Sequence, residues 1–340
     1  MITVLARIRH ALAPLVFLTM LSVVLQADAQ QTKPNAPVSP DASAVQEQTL
    51  LQEESRIQGR IDIPDKRAGV LIQPAGRAWD HFHEVTLRRL GAIVIIGMIA
   101  LLALAYGVLG KIRISAGRSG RKVVRFSGFE RFSHWLTAVS FVVLGLTGLN
   151  ITFGKLLLLP IVGPETFSAF SQISKYAHNF VSFSFIAGLV LIVALWLKDN
   201  IPKQVDIDWL RQGGGFIKSK HAPAGRFNAG EKMVFWFALG AGAAVIVSGF
   251  LLLFPFYFAN IAGMQIAQVV HAIVAVLFIA VILAHIYIGT VGMEGAFEAM
   301  GTGEVDMSWA EEHHDVWLAE ALAKERSAEP PRQPAPAPAK

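Results

Sequence analysis

The chain of 340 residues contains no cysteine, which excludes several kinds of redox centre from this polypeptide. Iron–sulfur clusters, covalently attached c-type haem and disulfide bonds all require thiols. A redox centre here must therefore use histidine or methionine ligands, or be a mobile quinone or flavin.

Charged residues are also few: they make up 16% of the chain, whereas hydrophobic residues make up 53%. Soluble domains contain about 25% charged residues, and here the apolar residues are grouped into long runs. This grouping is typical of an integral protein surrounded by membrane lipid. The net charge of +5 does not indicate a nucleic-acid partner, because the basic residues flank apolar runs and form no stripe with aromatic residues.

The N-terminal region has the pattern of a secretory signal, and we predict a signal peptide over residues 1–29. A basic start precedes the apolar residues 11–25, and Ala-Asp-Ala at 27–29 supplies the small residues of a cleavage site. An uncleaved anchor helix is the alternative, although the run is shorter than the ~20 residues that span a bilayer. Residues 30–85 begin with a stretch rich in Gln, Pro, Ala and Ser, and are predicted to be an exported, largely disordered segment.

Five further apolar stretches of about 20 residues predict five membrane-spanning helices. They cover approximately residues 90–110, 134–153, 178–197, 233–254 and 269–291. The loops after the first and third stretches are rich in Lys and Arg, whereas those after the second and fourth carry few charges or none. Because basic loops remain in the cytoplasm, we predict a bacterial inner-membrane protein with a periplasmic mature N-terminus and a cytoplasmic C-terminus.

Four histidines, His134, His178, His271 and His285, lie within these stretches or at their ends. Taken singly, each could be a helix-end histidine bonded to a carbonyl group. His271 and His285 lie on one helix, where their separation corresponds to about 40° around the axis and about 21 Å along it. They therefore share one face of that helix, one near each membrane surface.

The predicted orientation sorts the four histidines into two pairs. His178 begins a helix that runs inward and matches the depth of His271, while His134 begins a helix that runs outward and matches the depth of His285. Two imidazoles from different helices at one depth are what bis-histidine ligation of a haem requires. We therefore predict two b haems. Nearby small residues would give a cofactor space or serve plain helix packing, and they are Gly145, Gly148, Gly188, Gly240, Gly242 and Gly249.

The predicted fold is an all-α integral membrane helical bundle. It consists of one additional N-terminal transmembrane helix (86–112), a four-helix di-haem cytochrome b domain (125–295) and a cytoplasmic tail (296–340). Within the tail, Met307 to Lys324 is interpreted as a helix on the cytoplasmic surface. The remaining histidines of the apolar-span flanks and of the tail are interpreted as interfacial residues rather than as a metal site.

The segment from Arg125 to about Glu320 resembles the cytochrome b (gamma) subunit of respiratory formate dehydrogenase. This resemblance covers about 195 of the 340 residues. The motifs that carry it are Arg131-Phe-Ser-His134-Trp135, Tyr176-Ala-His178-Asn179, Phe227-Asn-Ala-Gly-Glu-Lys232, His271-Ala272, His285-Ile-Tyr287 and Trp309-Ala-Glu-Glu-His313-His314-Asp-Val-Trp317.

The resemblance implies ligand and quinone sites. It assigns an outer haem to His178 and His271 and an inner haem to His134 and His285, as the depth argument does. It further implies a quinone beside the inner haem, near His285 and a loop that comprises Asn228, Ala229, Gly230 and Glu231. One form of the family has Gln at the position of Glu231, which leaves the role of that side chain in quinone contact or protonation open. The signal, the exported segment and the extra first span are departures from the family pattern.

The resemblance also implies a function as the non-catalytic, electron-transferring subunit of formate dehydrogenase. Its partners would be an iron–sulfur beta subunit, a molybdenum- or tungsten-containing alpha subunit that oxidises formate, and the quinone pool. Two alternatives remain. One is the same scaffold in a nickel–iron hydrogenase or a sulfur-compound reductase, and the other is a haem-free membrane anchor or proton-coupled transporter whose histidines form a proton relay.

Overall fold

The computed structural model describes residues 57–60, 70–73, 76–215 and 222–328. The predicted signal peptide and much of the predicted exported segment lie outside the described residues. Within residues 30–85, two short strands, β1 (Ile57–Arg60) and β2 (Val70–Gln73), pair antiparallel. The proposed limits of the signal, exported and tail segments stay predictions.

The described chain is otherwise almost entirely helical. Its helices, in order, are α1 (Gly76–His81), α2 (Arg88–Leu109), α3 (Gly128–Leu157), α4 (Leu159–Val162), α5 (Pro164–Trp196), α6 (Gln204–Arg211), α7 (Ala229–Leu253), α8 (Ile261–Tyr287), α9 (Ala296–Gly301), α10 (Met307–His313) and α11 (Asp315–Ala328). π-Helical turns at Phe82–Leu87 and Ile288–Gly292 extend α2 and α8. Two further strands, β3 (Lys122–Val124) and β4 (Glu304–Asp306), pair antiparallel.

Five of the described helices are long and apolar enough to cross a membrane, which confirms the predicted number of spans. Each begins 4 to 14 residues before the predicted apolar stretch and ends within about four residues of its predicted end. Their limits are Trp79–Leu109, Gly128–Leu157, Pro164–Trp196, Ala229–Leu253 and Ile261–Gly292.

The described residues form two compact units. The first comprises the chain up to Gly110 together with residues 135–190 and 238–287. The second comprises residues 111–134, 191–237 and everything from Ile288 onward.

In the first unit, small residues let helices approach closely. A Cβ on Gly242 of α7 would lie 2.7 Å from Leu189 of α5, and a Cβ on Gly188 of α5 would overlap Thr137 of α3. The additional helix α2 packs against α8, where a Cβ on Gly91 would lie 3.3 Å from Val276. These glycines therefore serve helix packing.

An aromatic cluster joins three helices of the first unit. Phe141 of α3, Phe185 of α5 and Phe278 of α8 have ring centroids 4.6–6.2 Å apart. Offset and edge-on contacts of this kind add stabilisation beyond the burial of apolar area.

The second unit has its own core, to which the C-terminal region contributes most. Val305 is 0% exposed, Trp309 is 3% exposed and Trp317 is 9% exposed. They pack with Phe126 and Trp196. The prediction of one helix over Met307 to Lys324 is wrong, because the segment forms two helices, α10 and α11, whose tryptophans are buried in this core. The cytoplasmic position of the segment stays a prediction.

The β3–β4 ladder connects the basic loop after the first span to the C-terminal region. Asp306 accepts hydrogen bonds from the backbone amides of Ser119, Gly120 and Ser308, and so also caps α10. Arg118 pairs with Glu298 at 2.6 Å. Several basic residues that the sequence presents as a topology signal are thus also structural.

We expect Trp309→Ala to destabilise the second unit by about 3–5 kcal/mol, because it leaves a large cavity in that core. Hydrogen exchange of the β3 and β4 amides in detergent-solubilised protein measures this effect. The control is Val316→Ala. Val316 lies in the first turn of α11 and is 37% exposed, so this variant should change hydrogen exchange little. Equal protection in the Trp309 variant and the parent protein would contradict this description of the core.

Candidate functional site

The structure brings His178 of α5 and His271 of α8 together in the first unit. Their ring centroids lie 6.2 Å apart and the ring planes meet at 70°. Both side chains are half-buried. The two histidines that the sequence assigned to the outer level therefore face each other from different helices.

A hydroxyl group on a third helix orients His178. Thr147 of α3 lies 2.9 Å from Nδ1 of His178 through Oγ1, and the same oxygen donates to the carbonyls of Val143 (2.7 Å) and Leu144 (3.1 Å). A hydroxyl has one proton, which is committed to these carbonyls, so Oγ1 accepts from Nδ1–H. The lone pair of His178 is therefore on Nε2, which is left available to a metal ion.

His271 has the same arrangement with a fourth helix. Oγ of Ser248 on α7 lies 3.0 Å from Nδ1 of His271 and donates to the carbonyl of Ala244 at 2.6 Å. Because the Ser248 proton is committed to that carbonyl, Nδ1 of His271 carries a proton and its lone pair is on Nε2.

A glycine follows each hydroxyl residue and leaves space for the imidazole ring. A Cβ on Gly148 would lie 3.4 Å from Cε1 of His178, and a Cβ on Gly249 would lie 3.2 Å from Cε1 of His271. A Cβ at Gly249 would be in tight contact with the ring, whereas one at Gly148 would be at the limit of ordinary van der Waals contact. Gly145 and Gly240 have no such contact with a histidine.

This pair of histidines fits a haem iron held between two imidazoles. With metal–nitrogen bonds of about 2 Å, two imidazoles on opposite sides of one iron have centroids about 6 Å apart. The observed 6.2 Å agrees with that spacing, and both Nε2 atoms have the required lone pair.

The second predicted pair is divided between the units. His134 lies near the start of α3 in the second unit and is half-buried, whereas His285 lies near the end of α8 in the first unit and is exposed. Both are on the helices that the sequence predicted. Their pairing stays a prediction.

In the second unit, the predicted quinone loop begins α7 with a capping box. Oδ1 of Asn228 accepts from the backbone amide of Glu231, and Oε2 of Glu231 accepts from the backbone amide of Asn228, both at 2.9 Å. Arg125, whose side chain is only 2% exposed, donates to both carboxylate oxygens of Glu231. The Glu231 carboxylate is therefore fixed by the helix start and by a buried cation.

A second ion-pair group lies beside this loop. Arg226 donates to Glu130 at 2.7 Å and to Asp199 at 2.8 Å. Glu130 also accepts from the indole of Trp196 at 2.8 Å. Arg125 and Arg226 both lie over the ring of Phe126, at 5.0 and 5.1 Å. Opposite charges and aromatic faces thus compensate the burial of these groups.

His314 lies beside these ion pairs and is 1% exposed. Its Nδ1 lies 2.8 Å from the carbonyl of Gly225, which can only accept, so Nδ1 carries the proton. Its Nε2 faces Oε2 of Glu231 at 3.7 Å. Burial, reinforced by the charge of Arg125, lowers the pKa of His314 to about 3, so this histidine is neutral at physiological pH.

An apolar cavity of about 600 Å³ lies between α6 and the first turns of α7. A buried ion pair between Lys232 and Asp206, at 2.8 Å, contributes to its wall. Of the loop residues predicted to contact quinone, Ala229 lines it. The apolar lining comprises Pro202, Ile207, Leu210, Ala229, Met233 and Trp236.

Comparison with known proteins shows that residues 125–303 match the family described as prokaryotic cytochrome b561. The chain belongs to this family.

Relatives of this cytochrome include two cytochrome b subunits from Escherichia coli. The nitrate-inducible formate dehydrogenase cytochrome b556(Fdn) subunit is 30% identical over 218 residues, which is 62% of this chain and 97% of the relative. The formate dehydrogenase cytochrome b556(fdo) subunit is 30% identical over 203 residues, or 58% and 92% of the two chains. A formate dehydrogenase cytochrome b556 subunit from Haemophilus influenzae is 29% identical over 221 residues, or 63% and 88%.

These findings confirm the predicted resemblance and the all-α membrane helical bundle. The chain is a multi-pass membrane cytochrome b subunit, and its family implies haem b as cofactor.

Sequence reasoning missed four residues of the sites in this cytochrome: Thr147, Ser248, Arg125 and His314. A signal for the first two exists, because a hydroxyl residue followed by glycine occurs in two spans, as Thr147-Gly148 and as Ser248-Gly249. Arg125 and His314 gave no such signal, since a basic loop residue and a tail histidine are usually solvated.

We expect the stability of this cytochrome to fall as the pH drops below about 6.5, because the unfolded chain then protonates residue 314 while the folded protein does not until about pH 3. His314 alone would contribute a slope of up to about 1.4 kcal/mol per pH unit in that window. His314→Gln should remove this contribution. Denaturant titrations at several pH values measure the difference between variant and parent.

The control is His83→Gln, which replaces a histidine whose side chain is 36% exposed. It should keep the pH dependence of the parent. The same slope in the His314 variant and in the parent would show that the buried imidazole is not the group responsible.

Proposed function

We propose that this cytochrome b is the membrane subunit of a formate dehydrogenase and passes electrons from a periplasmic iron–sulfur subunit through two b haems to quinone near the cytoplasmic side. The observation that carries this proposal is the spacing of His178 and His271 with both Nε2 atoms available. Relatives that are formate dehydrogenase subunits favour this donor over a nickel–iron hydrogenase or a sulfur-compound reductase.

The outer haem would be held by His178 and His271, and the inner haem by His134 and His285. Haem iron carries one electron at a time by cycling between its ferric and ferrous states. Thr147 and Ser248 would hold a proton on Nδ1 of the outer histidines.

Quinone would bind beside the inner haem, near His285 and the loop of Asn228, Ala229, Gly230 and Glu231. The apolar cavity at Ala229 suits the isoprenoid tail of a quinone. Reduction to the quinol consumes two electrons and two protons. Glu231 and His314 lie at this end of the protein, with Oε2 and Nε2 3.7 Å apart.

The basic loops support an orientation in which the proposed quinone loop faces the cytoplasm and the His178–His271 pair faces the periplasm. Electrons from outside and protons from inside would then meet at quinone, so the reaction would be electrogenic. Each charge crossing is worth about 2.3 kcal/mol per 100 mV of membrane potential. Formate oxidation itself would belong to a partner subunit with molybdenum or tungsten, because this chain has no cysteine for the iron–sulfur relay.

We expect His178→Ala and His271→Ala each to remove one b haem and to leave the other, because each variant deprives one iron of an axial ligand. Haem content and the reduced visible spectrum of the purified protein measure this. His83→Ala should retain both haems. Loss of both haems, or of neither, would contradict the pairing, and the absence of any b-type band in the parent would favour the haem-free proton relay.

We expect Glu231→Asp and Asn228→Asp to slow quinone reduction several-fold with haem content unchanged. The first keeps an acceptor for the Asn228 amide, and the second keeps the Oδ1 cap, so both variants should preserve the start of α7. The assay is reduction of a soluble quinone analogue by the formate-reduced complex.

Glu304→Asp is the matched control, because it makes the same change as Glu231→Asp at a carboxylate that is 45% exposed and pairs with Lys122 at 3.8 Å. It should turn over at the parent rate. Full turnover in both loop variants would place the quinone elsewhere.

A further inference from the structure

One structural motif occurs twice around the His178–His271 pair. In each case a hydroxyl residue followed by glycine, on one helix, contacts a histidine on another: Thr147-Gly148 of α3 with His178, and Ser248-Gly249 of α7 with His271. The two copies of this motif lie on four different helices. Their repetition argues against an accidental contact.

We propose that Thr147 and Ser248 are positioning residues that fix the tautomer and rotation of the two histidines and thereby lower the reduction potential of the haem between them. This inference rests on the proposed function in so far as it takes His178 and His271 as the haem ligands.

The tautomer follows from the backbone contacts. Within a helix, a Thr or Ser hydroxyl often donates to the carbonyl three or four residues earlier. Thr147 does so to Val143 and Leu144, and Ser248 does so to Ala244. With their protons committed, both oxygens present lone pairs to the imidazoles and can only accept from Nδ1–H.

The rotation follows from one bond on each ring and from the space beside it. The hydroxyl contacts Nδ1 at 2.9 Å in His178 and at 3.0 Å in His271. The neighbouring glycine leaves room for Cε1, because an added Cβ would lie only 3.4 Å away at Gly148 and 3.2 Å away at Gly249. The bond at Nδ1 restricts the turn of the ring about its Cβ–Cγ bond. Nε2 is thereby directed to one position.

The effect on potential follows from ligand basicity. An acceptor on Nδ1–H increases the electron density of the imidazole, which strengthens its bond to the ferric ion more than to the ferrous ion. The oxidised state is thus favoured. Removal of the acceptor should move the potential upward.

The test uses Thr147→Val and Ser248→Ala in the full complex. Redox titration should resolve the b haems, with one component shifted upward in each variant and the other component unchanged. Haem retention should also weaken, by roughly ten- to a hundredfold in affinity if these hydroxyls act like other groups that support metal-bound histidines. Low-temperature electron paramagnetic resonance of the ferric protein reports the rotation of the imidazoles directly.

The swaps Thr147→Ser and Ser248→Thr keep the hydroxyl and should restore the parent potential and spectrum. Thr152→Val is the matched control, since Thr152 is on the same helix and donates to the carbonyl of Gly148 at 3.0 Å. It loses a bond of the same kind and should leave both potentials unchanged.

An unchanged potential and spectrum at full haem content in both hydroxyl-free variants would overturn the proposal. So would a loss of haem that the hydroxyl-retaining swaps do not restore. If His178→Ala also retains both haems, then the proposed ligand set itself is wrong. If His178→Ala loses one haem while Thr147→Val behaves like the parent, only the positioning role fails.

Discussion

The interaction on which the first unit depends is the contact between two imidazoles and two hydroxyl groups inside a bundle of apolar helices. In a lipid environment, an imidazole without partners on both nitrogens is costly, and its position is poorly defined. Thr147 and Ser248 satisfy Nδ1 on each ring, so that Nε2 is the group left for a ligand. Close helix contacts at Gly188 and Gly242 hold the bundle in which this geometry is possible.

A different constraint governs the second unit, where several charged groups are buried together. Arg125 is covered by aromatic rings and paired with Glu231, and Glu231 is in turn fixed by the cap of α7 and faces His314. Removing the Glu231 carboxylate would leave the buried Arg125 guanidinium without its ion-pair partner, which is costly. The C-terminal region supplies His314 and most of the apolar core, so it is an integral part of this unit.

The two units explain the division of labour proposed for the protein. The first contains the two imidazoles proposed as haem ligands, on helices of apolar residues. The second contains a buried ion pair at a helix start and an apolar cavity beside the proposed quinone loop. The match of residues 125–303 to the prokaryotic cytochrome b561 family spans segments of both units.

The five spans, the helices that carry the four histidines and the resemblance to formate dehydrogenase cytochrome b subunits could be predicted from the sequence. They follow from apolar run length and from local motifs, which are properties of neighbouring residues. The contacts of Thr147 and Ser248 with His178 and His271, and the burial of Arg125 and His314 beside Glu231, became apparent only in the folded protein. The hydrogen-bonded partners among them are 23 to 106 residues apart along the chain. The periodicity of a single helix does not show which side chains of another helix it will contact.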